Sequence, residues 1–192
     1  MQRADHDVAF MLQYENIAWY EDGKVKILDR RIYPARAEFV TCHTHQEVAQ
    51  AITDMVTQSA GPYTAVPMGM ALAAHECRGR TAAEQMEYLR KAAHTISHAR
   101  PTTVKRMALL CDLCLAEAER ALAAGEDTAQ AIVNKTVELN NTRYERVAKI
   151  GKYLVDLFPE NGTVMTHCFA ETIVGMMLRE CSERGKHIRL FC

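Results

Sequence analysis

The stretch from Pro159 to Phe191 limits the fold more than any other. Pro159 and Asn161-Gly162 end one segment, Thr163–His167 reads as a short strand, and 170–184 carries helical periodicity. Gly185 stops that helix, and His187–Phe191 reads as a second short strand. Strand, helix, strand at this spacing predicts a βαβ unit, because two parallel strands need a crossover of about a dozen residues or more. A βαβ unit opens a Rossmann-like parallel α/β sheet, and such sheets gather ligands at the carboxyl ends of their strands, where helix N-termini also point. Thr166-His167-Cys168 falls at that place. A helix N-terminus favours anions and activates a nearby thiol, so Cys168 is the first candidate for chemistry.

Ahead of this unit the grammar differs. Residues 16–33 predict a β-hairpin, with Ile17 and Trp19 alternating on one arm, Val25 and Ile27 on the other, Asp22-Gly23 at the turn and Pro34 ending the second arm. From Thr44 the period is helical. Thr44 with Glu47 and Thr81 with Glu84 both have capping-box spacing. Gly61-Pro62 breaks the first helix, 64–77 reads as a buried helix, and the helix opened by Thr81 runs to about His98. Pro101 opens a long helix that ends at Gly125, and 127–157 predicts another with a break near Asn140-Asn141. The fold class is therefore α/β overall: a hairpin and helical domain over 1–160, followed at 161–192 by the start of a Rossmann-like α/β domain.

Composition excludes several classes. A net charge of −1 announces no nucleic-acid surface, and no apolar run approaches a membrane span. The N-terminus has no signal-peptide pattern. The seven cysteines are odd in number and scattered, which fits a reducing cytoplasm rather than a disulfide framework.

Three further runs carry a resemblance. Asn16–Arg31, Ala99-Arg100-Pro101-Thr102-Thr103-Val104 and Gly162–Cys168 (G-T-V-M-T-H-C) occur in the order and context of the methylthioribose-1-phosphate isomerase family, in the superfamily that includes ribose-1,5-bisphosphate isomerase and the regulatory subunits of initiation factor 2B. The chain resembles that family along most of its length. The resemblance implies an aldose–ketose sugar-phosphate isomerase of methionine salvage, with Cys168 as catalytic thiol and Arg100 as phosphate anchor. It also implies a homodimer and no metal or cofactor. The family's Arg-Gly-Ala-Pro segment, which helps hold the substrate phosphate, corresponds to Gln58-Ser59-Ala60-Gly61-Pro62, so Gln58, Ser59 and Ala60 are implied substrate contacts with one cation missing. The family's Cys-Asn-Ala-Gly is Cys168-Phe169-Ala170-Glu171 here, which sets a carboxylate at an anion-binding helix start. The second catalytic residue, an aspartate, belongs by resemblance to a part of the family beyond Cys192. The expectation is therefore an incomplete chain, inactive alone, with an unpaired sheet edge that promotes aggregation. The alternative class is a non-catalytic regulatory or sugar-phosphate-sensing protein.

Plainer readings compete at other positions. Cys111 and Cys114, one helical turn apart, read as buried thiols, because no second pair stands at zinc spacing. His94 and His98 lie one turn apart without a third ligand. His167 points away from Cys168 along a strand. Lys105-Arg106 and Arg143–Arg146 read as solvated helix faces.

Overall fold

The protein is described here by a computed structural model covering residues 3–192. It divides into two compact units, Tyr14–Glu138 on one hand, and the residues up to Gln13 together with Leu139–Cys192 on the other.

The first unit opens with a short helix, α1 (Tyr14–Ile17), and the strands β1 (Ala18–Glu21) and β2 (Lys24–Leu28). β1 and β2 pair antiparallel, with Glu21 opposite Lys24. That register leaves two turn residues, Asp22 and Gly23, at φ 49° and 74°. Both lie in the left-handed region that a two-residue hairpin turn requires, as the Asp-Gly pair predicts. The second arm is shorter than the sequence suggests. β2 ends at Leu28, Asp29–Ala35 turns, and β3 (Phe39–Cys42) adds a third strand antiparallel to β2. Asp29 anchors the turn: its carboxylate accepts from the Arg31 backbone N–H at 3.0 Å and from the guanidinium at 2.7 and 2.8 Å.

Helices α2 (His45–Thr53), α3 (Pro62–Glu76), α4 (Ala82–Ser97) and α5 (Val104–Ala124) follow, and α6 (Thr128–Asp156) begins in this unit. α3 is the centre of the bundle. Twelve of its fifteen residues are buried, including Met68, Met70 and Leu72, as its run of small apolar residues predicts. Thr81 and Glu84 complete a capping box at the start of α4. At α2 only half of the box forms. Glu47 N–H donates to the Thr44 hydroxyl, while the Glu47 carboxylate accepts from His43 N–H at 2.6 Å, one residue early. α5 starts at Val104, after a 3-10 turn over Pro101–Thr103.

The other unit holds a 3-10 turn at Phe10–Leu12, the C-terminal part of α6, β4 (Asn161–Met165), α7 (Glu171–Glu183) and β5 (His187–Phe191). β4 and β5 pair in parallel, so the βαβ reading holds. Val155, Val174, Met177 and Cys181 form its apolar centre, with Phe158, Ile188 and Leu190 packed around them. Lys186 donates to the Val155 and Phe158 carbonyls at 3.2 and 2.9 Å, where α6 ends. α6 does not break at Asn140-Asn141. Both asparagines are buried, and Asn141 Oδ1 accepts from Ala4 N–H at 2.9 Å, so its amide has a tertiary partner that keeps it from competing for the helix backbone.

Candidate functional site

Cys168 stands three residues beyond β4 and three before α7, at the carboxyl end of the parallel pair. It is exposed, and its carbonyl accepts from Ala170 N–H at 2.8 Å, which curls the chain toward the helix. Among the seven cysteines only Cys168 and Cys192 are exposed. His167 and Phe169, the neighbours of Cys168, are exposed as well. Glu171 behaves otherwise than its sequence position suggests. It is the first residue of α7, yet only 5% exposed, so the carboxylate is folded into its unit instead of standing in solvent beside Cys168.

The remaining candidates belong to the helical unit. Gln58, Ser59 and Ala60 lie in the connection from α2 to α3, and Arg100 lies in the connection from α4 to α5. The structure brings these two connections to one end of the bundle. The Thr53 hydroxyl, at the end of α2, donates to the Ala99 carbonyl at 2.9 Å. The Arg106 guanidinium lies 5.4 Å from the centroid of the Tyr63 ring, which joins the first turn of α5 to the first turn of α3. Arg106 reads as a solvated charge in the sequence; it is exposed, but it also covers an aromatic face beside the Gln58–Ala60 loop.

Local chemistry fixes that loop. Ser59 has φ 53°, and Gly61 N–H donates to the Gln58 carbonyl at 2.8 Å. A Cβ at Gly61 would lie 2.1 Å from Thr57 Oγ1, so only glycine fits there. The Gln58 amide donates back to the Met55 carbonyl at 3.2 Å, which holds the loop closed. Arg100 precedes the 3-10 turn, and its carbonyl accepts from the Thr103 N–H and hydroxyl at 3.1 and 3.3 Å. Arg100 is half-buried as a residue, and its guanidinium has no ion-pair partner among the described residues. A fixed backbone carrying an uncommitted guanidinium suits an oxyanion such as phosphate.

His94 and His98 stack face to face, with ring centroids 4.0 Å apart, and His98 Nδ1 lies 2.9 Å from the His94 carbonyl oxygen. Stacked rings do not converge on one ion, and no cluster of three metal-ligating side chains occurs among the described residues. Cys111 and Cys114 are buried in α5, where Cys111 lies 3.6 Å from the Ala93 carbonyl. Burial pushes the Cys111 thiol up to about 12 and raises that of Cys114 too, which suits packing and not reactivity. A cleft of about 520 Å³ in the βαβ-containing unit is lined by Arg3, His6, Asp7, Tyr144, Glu145 and Arg179 among others, and by none of the candidates above.

The two units thus define a mixed α/β protein: a helical bundle behind a small antiparallel sheet, and a βαβ unit with an exposed thiol at its strand ends. The sequence profile of the Initiation factor 2 subunit family matches residues 60–192, and the chain belongs to that family. It is 28% identical over 186 residues to a putative methylthioribose-1-phosphate isomerase of Archaeoglobus fulgidus, covering 90% of this chain and 52% of the relative. It is 27% identical over 188 residues to the methylthioribose-1-phosphate isomerase of Thermotoga maritima, covering 94% and 53%. The chain therefore spans about half the length of the curated relatives it matches. The fold is shared with two crystal structures. The delta subunit of translation initiation factor eIF-2B from A. fulgidus has a TM-score of 0.69 at 24% identity, over 91% of this chain and 53% of that one. The 5-methylthioribose 1-phosphate isomerase of Pyrococcus horikoshii has a TM-score of 0.66 at 23% identity, over 91% and 51%.

Proposed function

We propose that the protein acts as an aldose–ketose sugar-phosphate isomerase of the methylthioribose-1-phosphate isomerase type, in methionine salvage. The carrying observation is Cys168, an exposed thiol between β4 and α7, where open α/β sheets hold their ligands. Relatives named for this activity support the reading.

In that reading Cys168 exchanges a proton with the substrate. Converting an aldose phosphate to its ketose moves a hydrogen between C1 and C2, and a phosphate on C1 locks the ring, so an acid must also assist opening. Two acid–base groups at close range suffice, each contributing roughly 10²–10⁴-fold. The resemblance assigns the second, an aspartate, to the half of the relatives outside the match. Arg100 anchors the phosphate, and Gln58, Ser59 and Ala60 line the same binding region through the loop that opens α3. These are proton transfers alone, so the chemistry calls for no nucleotide or metal. The protein works in the cytoplasm as a homodimer.

A second reading has its own observation: Gln58, at the position where the isomerases carry arginine, spends its amide on the Met55 carbonyl. With one cation fewer, the protein would sense a sugar phosphate without converting it. The polypeptide isolated from its own cells distinguishes the two when given 5-methylthioribose 1-phosphate. Appearance of the ketose phosphate by ³¹P and ¹H NMR supports the isomerase. Saturable binding with no product over hours overturns it in favour of the sensor.

A further inference from the structure

The bundle end that carries Arg100 holds a second guanidinium. Arg106 is the third residue of α5, and its guanidinium lies 5.4 Å from the ring centroid of Tyr63, the second residue of α3. Long side chains at a helix start lean over the turn that precedes them. This contact therefore stands at the same end as the Gln58–Ala60 loop and Arg100. Tyr63 N–H donates to the Ala60 carbonyl at 3.1 Å, which ties the residue under Arg106 to that loop.

Nothing at this end neutralises Arg106. Its guanidinium makes no hydrogen bond and no ion pair among the described residues. The ring fixes where the cation sits and leaves its N–H donors unmatched. A cation over an exposed aromatic ring is held weakly compared with a guanidinium fork on a phosphate. The first turns of α3 and α5 contain no acidic residue. The two connections carry one carboxylate, Asp54, which accepts from the Gln50 amide at 2.7 Å. The Gln58 amide, turned to the Met55 carbonyl, adds no charge. Backbone donors at the start of α3 are committed as well, since Thr64 and Ala65 N–H both donate to the Gly61 carbonyl at 3.0 Å. An anion arriving here is met by side-chain cations.

We propose that Arg106 is a specificity-determining residue of the sugar-phosphate site, where its guanidinium, held ready over Tyr63, binds the phosphate monoester together with Arg100. A phosphate monoester carries about −1.5 to −2 charges at neutral pH, which two guanidinium forks match. Which sugar bears the ester rests on the isomerase reading; the pair of cations does not.

Calorimetric titration of the protein and its variants, made in its own cells, tests this with 5-methylthioribose 1-phosphate, unphosphorylated 5-methylthioribose and inorganic phosphate. Arg106→Gln should weaken binding of the sugar phosphate and of inorganic phosphate by about tenfold or more, and leave the unphosphorylated sugar within about twofold. Its circular dichroism spectrum should be unchanged, because Arg106 is exposed. Arg106→Lys should recover only part of the loss, since a point charge does not reproduce the fork. Lys105→Gln removes the same charge from the same turn and should cost less than about threefold. Equal losses for Lys105→Gln and Arg106→Gln would mean a diffuse field and overturn the proposal. Unchanged phosphate affinity in Arg106→Gln would also overturn it and leave a structural clasp on Tyr63. A wild type that binds neither phosphate compound overturns it too. Binding that depends on Arg106 without any ketose formed defeats the isomerase reading and leaves the phosphate site standing.

Discussion

At the scale of single residues, Glu76 shows how a half-buried charge is held. Its carboxylate accepts from His45 N–H at 2.6 Å and from the Tyr88 hydroxyl at 2.5 Å, and His45 Nδ1 lies 2.6 Å from Oε2. Burial opposes ionisation, but the hydrogen bonds from His45 and Tyr88 outweigh it and hold Glu76 below its ordinary 4.5. A depressed carboxylate contributes stability above its unfolded value and loses it as pH falls through the folded one. The wild type should therefore lose stability as pH drops below about 4.5, and Glu76→Gln should flatten that acid limb, read as urea midpoints against pH. An unchanged acid limb would mean that other carboxylates govern it. None of this network was legible in the sequence, because its members are thirty-one and twelve residues from Glu76 and carry no local pattern. Cys168 was legible, since its strand-end position is a matter of local order.

At the scale of elements, caps and turns account for most of what the sequence announces. The Asp22-Gly23 turn, the Thr81 box and the βαβ spacing all act within a few residues, and each places an element where the structure has it, whereas Pro101 opens a 3-10 turn and the long helix starts only at Val104. The failures are tertiary. β3 stayed hidden because Phe39 and Val40 are adjacent apolar residues with no clean alternation, and only pairing with β2 makes them a strand. The Asn140-Asn141 break is absent because burial and the Ala4 bond make the asparagines part of the helix's packing. The caps also differ in strength. Thr81 and Glu84 satisfy each other reciprocally, whereas Glu47 serves His43 instead of Thr44. Thr81→Ala should thus destabilise by about 1 kcal/mol. Thr44→Ala should destabilise less, because it removes only the acceptor of the Glu47 N–H, whereas Thr81→Ala also removes the hydroxyl bond to the Glu84 carboxylate. Chemical denaturation midpoints of the two variants check this, and the reverse order would contradict the half-box.

At the scale of the molecule, two units carry different halves of the proposed chemistry. The helical unit holds Arg100 and the Gln58–Ala60 loop at one end of its bundle, and the other unit holds Cys168 at its strand ends. The fold class follows from the order of elements, which the sequence displays, and the family from particular runs such as Ala99–Val104 and Gly162–Cys168. The sharing of one bundle end by two distant connections does not, because Thr53 and Ala99, or Tyr63 and Arg106, meet only once four helices have packed. The central claim is that the Cys168 sulfur exchanges the proton. Its most direct test is the rate of ketose formation from 5-methylthioribose 1-phosphate by the reduced protein, as its own cells make it, beside Cys168→Ser. The serine variant should bind the sugar phosphate with little change and lose about 100-fold or more in turnover. Equal rates for the two proteins would contradict the account.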